Sequence, residues 1–376
     1  EKQTSPVQIS MSHKITVRHC SIYDVPRAGI NISEGTFGGH VIENCDVFNT
    51  VLETGDHGSF NSWGRDRFWT PNILETAAEI EKNPELYKLD ILDSNIIRNS
   101  RWRCDHGWDI DLDDGSSWYR IYNNVLLNGG LKMREGYDRI ATNNIIINNS
   151  LHPHVWYPES GDVFKHNIVF GAYRPAAMQR ALAPDDKWGK EIDYNLFATN
   201  REDMEKFRMN GCDTNSVVGD PLFVDAAEGD FRVQKDSPAL EIGFQNFPMD
   251  QFGVTSEKLK EIAKTPEIPK FTVSSKSTTE MVYEWLDGSV KNIETLGEQS
   301  ANGLSSMSGV LILKVPENST LADFGFVKSD VIVAVNGEEV KNFEQLQNLL
   351  EKKNDKKSFA VSLMRDQNIQ KIRIEL

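Results

Sequence analysis

The sequence predicts an all-β right-handed parallel β-helix, a solenoid, followed by a small α+β domain. Three observations carry that expectation. One short phrase recurs through the first half of the chain, no long amphipathic helical pattern separates its copies, and the texture changes after Gly303.

The phrase is an Asn or Cys, an alternating apolar run, and often a second Asn. It reads Cys20-Ser21-Ile22-Tyr23, Cys45-Asp46-Val47-Phe48-Asn49, Asn95-Ile96-Ile97-Arg98-Asn99 and Asn124-Val125-Leu126-Leu127-Asn128. It continues as Asn144-Ile145-Ile146-Ile147-Asn148, Asn167-Ile168-Val169-Phe170 and Asn195-Leu196-Phe197. Successive copies start 25, 50, 29, 20, 23 and 28 residues apart. Apart from the 50-residue gap, each interval is one solenoid turn, whose strands stack on those of the turn before. An Asn repeated at one corner can hydrogen-bond its counterpart in the next coil, forming a ladder. A β-sandwich would not reuse one phrase in this way.

The long gap holds a polar insertion from Asp66 to about Asp90, with helical spacing over Ile73 to Lys82. Excursions of this kind from a rigid scaffold often carry binding residues. After Asn195 the repeat fades, and Asp220 to Leu240 has the character of a closing coil. The expected organisation is a β-helix over 1–250, a Lys-, Glu-, Thr- and Ser-rich linker with short helices over 251–300, and the second domain over 301–376. The chain opens on Glu1, with repeat-like sequence from Ile15. The expectation is therefore a longer native polypeptide whose signal peptide and first repeats precede this segment.

A formal charge of -15 and a pI near 5.1 argue against nucleic acid as partner, since counterion displacement needs a basic surface. No apolar run is long enough for a membrane span. Cys20, Cys45, Cys104 and Cys212 lack CxxC spacing and are expected to be free and buried.

The second domain runs through Gly309-Val310-Leu311-Ile312-Leu313-Lys314-Val315, then Ser329-Asp330-Val331-Ile332-Val333-Ala334-Val335-Asn336-Gly337, a helix over Asn342 to Lys352, and strands over Ser358 to Arg365 and Ile369 to Ile374. This resembles a PDZ domain of the bacterial arrangement. The resemblance implies an extended peptide added to one strand, its carboxylate held by backbone N–H groups of the preceding loop. By position that loop is Gly303 to Ser308, the strand Gly309 to Lys314, and the facing helix side chains Leu346 and Leu350. The loop departs from the usual short Gly-hydrophobic-Gly form, so a structural role is the alternative.

Alternate residues of a strand face opposite sides. If Ile110, Leu112, Met133 and Val155 point inward, one lateral face displays Asn31, Asp109, Asp111, Asp113, Lys132, Arg134, His154 and Trp156. Three aspartates at i, i+2 and i+4 repel one another and raise each other's pKa. A fold tolerates that where they bind a cation, are offset by basic neighbours, or act as an acid/base pair. Asp66, His57, Arg65 and His106 lie beside this wall in sequence, and Trp63, Trp108 and Trp156 are candidate sugar platforms. No metal-binding His pair and no Ser–His arrangement is present.

The texture resembles secreted bacterial carbohydrate-active β-helix proteins. One branch, the polygalacturonase-like and α-galactosidase-like glycoside hydrolases, carries catalytic aspartates on a lateral sheet, as Asp109, Asp111 and the Asp113-Asp114 pair would be. The other, the alginate lyase and chondroitinase B family, binds Ca²⁺ through an acidic-x-acidic pair with an Arg one coil later. Asp109-Ile110-Asp111 and Leu131-Lys132-Met133-Arg134 are similar to that, but Ser116 and Ser117 stand near the place of the family's base lysine.

The expected activity is glycoside hydrolysis of a complex polysaccharide or oligosaccharide, anionic ones included, with acid and base drawn from Asp109, Asp111, Asp113 and Asp66. His57, Trp63, Arg65, His106, Lys132, Arg134, His154 and Trp156 would bind substrate. No cofactor is required, and Ca²⁺ at Asp109 and Asp111 belongs to the alternative, a lyase using Arg134. A non-catalytic polysaccharide-binding solenoid with a PDZ module is the third reading. The setting expected is secreted, periplasmic or at a bacterial cell surface.

Overall fold

The computed structural model describes residues 5–33, 37–270, 281–351 and 358–375. The chain divides into two units with the break near 275. In the first, three parallel sheets of six, seven and eight strands are found among the described residues. The chain visits them in rotation: Asn95–Arg98 lies in the seven-stranded sheet, Arg101–Arg103 in the eight-stranded, Trp108–Leu112 in the six-stranded, and Tyr119–Tyr122 returns to the first. Each strand pairs with the strand one turn away. This fits the parallel β-helix expected from the repeats.

The alternation explains the packing. In the seven-stranded sheet Ile42, Ile97, Ile121, Ala141, Phe164 and Ile192 fall in one register column and all are buried. Through Val125–Leu126, Ile145–Ile146, Ile168–Val169 and Leu196–Phe197 the eight-stranded sheet is buried on both faces, and those phrases accordingly read as continuous apolar runs. Val125, Leu127, Ile145, Ile147, Ile168 and Leu196 pack against Phe231, Val233, Ala239, Ile242, Phe244 and Phe247 of the segment that follows the last coil. That segment continues along the unit, with Gly253 N–H donating to the Asn44 carbonyl and Lys264 paired with Asp24. Residues 251–270, expected as linker, are therefore part of the first unit. Part of the remaining expected linker, 271–280, lies outside the described residues, as do Lys352 and Leu376.

The predicted ladder is present. The Oδ1 atoms of Asn144, Asn167 and Asn195 each accept from the backbone N–H and the side-chain amide of the Asn one coil earlier, at 2.9–3.1 Å. The residue before each ladder Asn has a positive φ, as in Asn123, Asn143, His166 and Tyr194, which turns the corner and aims the next side chain inward. Replacing Asn144 by Leu keeps the volume but leaves the Asn124 backbone N–H without its acceptor and takes a donor from the Ile121 and Thr142 carbonyls, while the Asn124 amide keeps the Ile97 and Tyr122 carbonyls. Each orphan costs roughly 1–3 kcal/mol. Urea unfolding is expected to show a loss of at least about 1 kcal/mol, and a wild-type midpoint would refute the ladder's role.

The insertion forms the helix Ile73–Lys82, as its spacing predicted. Tyr87, Tyr137 and Tyr157 stack in series, with centroids 5.1 and 4.9 Å apart, and fix the insertion to the coils. Cys45, Cys104 and Cys212 are buried and free, and Cys20 is half-buried and free.

The second unit is an antiparallel sheet with the order Val282–Trp285, Gly288–Asn292, Val310–Lys314, Val331–Val335, Ser358–Arg365, Asn368–Glu375. Helix Phe343–Glu351 packs Phe343, Leu346 and Leu349 into the same core as Val310, Ile312, Ile332 and Val361. The first two strands and the helix Leu296–Ala301 were assigned to the linker by composition. They belong to this domain, whose start moves from 301 to before Val282.

Candidate functional site

The six-stranded sheet aligns one polar column, Gln8, Asn31, Asn61, Asp111, Lys132 and His152, in strict register. Arg134 N–H donates to the Leu112 carbonyl and His154 N–H to the Met133 carbonyl, which places Asp113, Arg134 and His154 in the next outward column. Ile110, Leu112, Met133 and Val155 are buried, as the face assignment required.

Asp109 is the exception. The N–H groups of Asp109 and Ile110 both donate to the Gly130 carbonyl, two residues against one, so a bulge breaks the alternation here. Trp108 is thereby turned to the outer face. Its indole N–H donates to His152 Nδ1 at 3.1 Å, and the Lys132 ammonium lies 4.2 Å from its ring centre. The Asp109 carboxylate instead accepts N–H bonds from Cys104, Asn128, Gly129 and Gly130 at 2.7–3.0 Å. Burial pushes its pKa up, to about 7, against those donors. Its position is that of a turn-holding group. The expected Asp109–Asp111 pair, catalytic or Ca²⁺-binding, is not brought together.

Lys132 organises what remains. Its Nζ is 3.0 Å from Asp111 Oδ1, 3.0 Å from Asp113 Oδ1 and 3.9 Å from Asp56 Oδ1. The ammonium stands between carboxylates where the acidic strand alone suggested a bound cation. Burial, relieved by its acidic neighbours, leaves the Lys132 pKa above the usual lysine range. Asp111 is wholly buried, and desolvation drives its pKa well up in spite of Lys132. Asp113 feels the same desolvation, but Lys132 and Arg134 outweigh it and hold the pKa down to about 2. Its side chain is 15% exposed and that of Asp56 37%, so the cluster meets solvent at these two carboxylates.

Next to this set, Arg134 pairs with Asp114 at 2.9 Å and Glu135 at 2.7 Å, and Arg65 with Asp114. Arg27 reaches Asn31 and Asn61, and Asn61 donates to Asp111 Oδ2. Among the described residues the face thus carries five carboxylates (Asp56, Asp111, Asp113, Asp114, Glu135) and four cations (Arg27, Arg65, Lys132, Arg134). The four cations balance four of the five carboxylates, and Asp111, the driest acid of the Lys132 group, is the natural place for a retained proton.

His57 faces this group. Burial first, then Arg27, lowers its pKa to about 4. His154 is fully buried, edge-on to Trp108 at 5.7 Å, and neither ring nitrogen has a hydrogen-bond partner. Trp63 is half-buried under the Arg27 guanidinium. Two expected site residues, His106 and Trp156, stand apart. His106 is exposed on the turn ahead of the acidic strand. Asp66 caps the turn to Trp69 through its carbonyl. Trp156 is fully buried with its indole N–H on the Met133 carbonyl, because Val155 has a positive φ and ends the alternation that would have turned Trp156 outward. Trp108, a candidate platform, Asp114 and Asp56 join the cluster, and Glu135 and Arg27 complete it without having been singled out as site residues. Asp56, Asp114 and Glu135 adjoin His57, Asp113 and Arg134 in sequence, whereas Arg27 is brought in by stacking of coils.

The second unit is a PDZ domain: residues 277–376 match that family's model. Comparison of the chain with curated proteins gives no match. The peptide-binding assignment needs correction. Val310–Lys314 is paired on both sides, with Gly288–Asn292 and with Val331–Val335, so it offers no edge to an added strand. Leu346 is wholly within the core, Leu350 is partly buried against it, Gly303 is exposed, Ser308 is half-buried and Gly309 is buried. No helix among the described residues is long and apolar enough to cross a membrane.

Proposed function

We propose that the first unit is a right-handed parallel β-helix enzyme that hydrolyses a glycosidic bond, with Asp111 and Asp113 as its acid/base pair. The handedness is the one parallel crossover connections almost always adopt. The observation that carries the reading is the opposite fate of two carboxylates around one ammonium: Asp111 is driven up by burial and Asp113 held down to about 2. Two titratable groups pushed apart in this way suit an acid and a base or nucleophile. Asp113, charged and open to solvent, takes the nucleophile's place, and Asp111 behind it holds the proton. Their Oδ1 atoms share one nitrogen at 3.0 Å each, so they lie less than twice that distance apart. That is short of the roughly 6.5–9.5 Å an inverting enzyme uses and favours retention.

A lyase would need a base. Lys132, clamped by carboxylates and held protonated, is poorly suited to that role. A complex glycan as substrate, in a secreted, periplasmic or cell-surface setting, completes the proposal. For the PDZ domain, a peptide partner would add along Val282–Trp285, since the opposite edge strand, Asn368–Glu375, presents Lys371 and Arg373.

Purified protein on a glycan panel tests the reading. Asp111→Asn and Asp113→Asn should each lower release of reducing ends by at least about 100-fold with unchanged circular dichroism, and the product anomer should be retained. Active variants, or products absorbing as unsaturated uronates, would overturn it.

A further inference from the structure

We propose that the sugar bound at the mouth of this face carries no carboxylate or sulfate: the site takes an uncharged or amino-bearing glycan and rejects a uronate. The inference rests on the hydrolase reading and names its substrate class. Lysine and arginine on a β-helix face suggest by sequence an anionic polymer, but their placement removes them from that task. The Lys132 side chain is fully buried and that of Arg134 is 3% exposed, each against two carboxylates, and Arg27 is also buried. The groups that reach solvent at the centre are Asp113 and Asp56. A substrate anion seated there would meet charge of its own sign before any cation.

The second observation is His154. Its imidazole is fully buried beside Trp108, both ring nitrogens lack partners, and burial first, then Lys132, His152 and Arg134, keeps it neutral. A neutral imidazole brings no positive charge to this face, so it adds nothing that would draw a carboxylate or sulfate. The exposed cations stand at the margins. Arg65 is already paired with Asp114, and Arg174, whose N–H bonds the Leu151 carbonyl, begins the coil beyond His152. At about 4.8 Å per strand, Arg174 lies roughly 10 Å past Lys132, outside the first sugar.

Calorimetry of the full chain with neutral, amino and uronate or sulfated oligosaccharides is the test, with Asp56→Asn/Asp113→Asn as the variant. The wild type should bind only neutral or amino sugars. The double variant should bind uronates at least about tenfold more tightly than the wild type, the scale of one close charge repulsion removed. A wild type that prefers uronates or sulfated sugars, or a variant that gains nothing for them, overturns this inference and leaves hydrolysis standing. Absence of binding to every glycan would sink the hydrolase reading itself, and this inference with it.

Discussion

Lys132→Met should destabilise the first unit by about 3–5 kcal/mol, the cost of leaving buried charges without their partner. The methionine fills the same space over Trp108, so packing is largely kept. What is lost is the ammonium 3.0 Å from both Asp111 and Asp113. Asp113 would no longer be held ionised, and the group would have to take up protons or admit water. Two features make the expectation specific. Adding Asp113→Asn to Lys132→Met removes the carboxylate that the ammonium holds ionised and should recover more than half of the loss. The emission of Trp108, whose ring the ammonium covers, should change in the single variant before unfolding. Urea titrations of wild type, single and double variants measure all three. Equal stability of Lys132→Met and wild type would mean that the cluster is solvated, and the charge bookkeeping of the site would fall.

Much of this arrangement was legible in the sequence because it depends on short-range periodicity. The recurrent Asn phrase marks the ladder, since each Asn is one corner of one coil, and i, i+2 spacing placed Asp111 with Asp113 and Lys132 with Arg134. The errors lie where a second coil decides. Nothing in Trp108-Asp109-Ile110 announces a bulge, because its cause is the Gly130 carbonyl one coil later. Trp156 looked outward until the positive φ of Val155, a conformation β-branched residues rarely adopt, ended the strand. The start of the PDZ domain was missed for a different reason. Leu286-Asp287 is a two-residue hairpin turn, with φ values of 48° and 62°, and a Leu-Asp pair at these places lacks the Asn-Gly or Asp-Gly that would announce one. It sits in a polar stretch whose composition reads as linker.

The same burial that shapes the site should give two variants opposite responses to pH. Desolvation, with Lys132, His152 and Arg134 nearby, lowers the pKa of His154 well below its ordinary 6.5. The unfolded chain then takes up a proton below pH 6.5 that the folded chain refuses, so His154 costs stability progressively as pH falls from 6.5. Asp111 is the reverse case. Its folded pKa is well above the ordinary 3.8, so the folded chain keeps a proton that the unfolded chain has released. Asp111 therefore costs stability progressively as pH rises above 3.8 toward its folded value. In the whole protein these trends oppose one another, and other buried groups add to both, so the wild-type curve alone separates neither. The differences from wild type do. His154→Gln should gain on wild type as pH falls from 7 to 4.5, and Asp111→Asn should gain on wild type as pH rises from 4. Each slope should approach about 1.4 kcal/mol per pH unit, one proton's worth. Denaturant midpoints of the three proteins across that range measure both slopes. A flat difference for His154→Gln would mean that the imidazole is protonated or solvated in the fold, and a flat difference for Asp111→Asn would mean that Asp111 is ionised beside Lys132 and holds no proton to give.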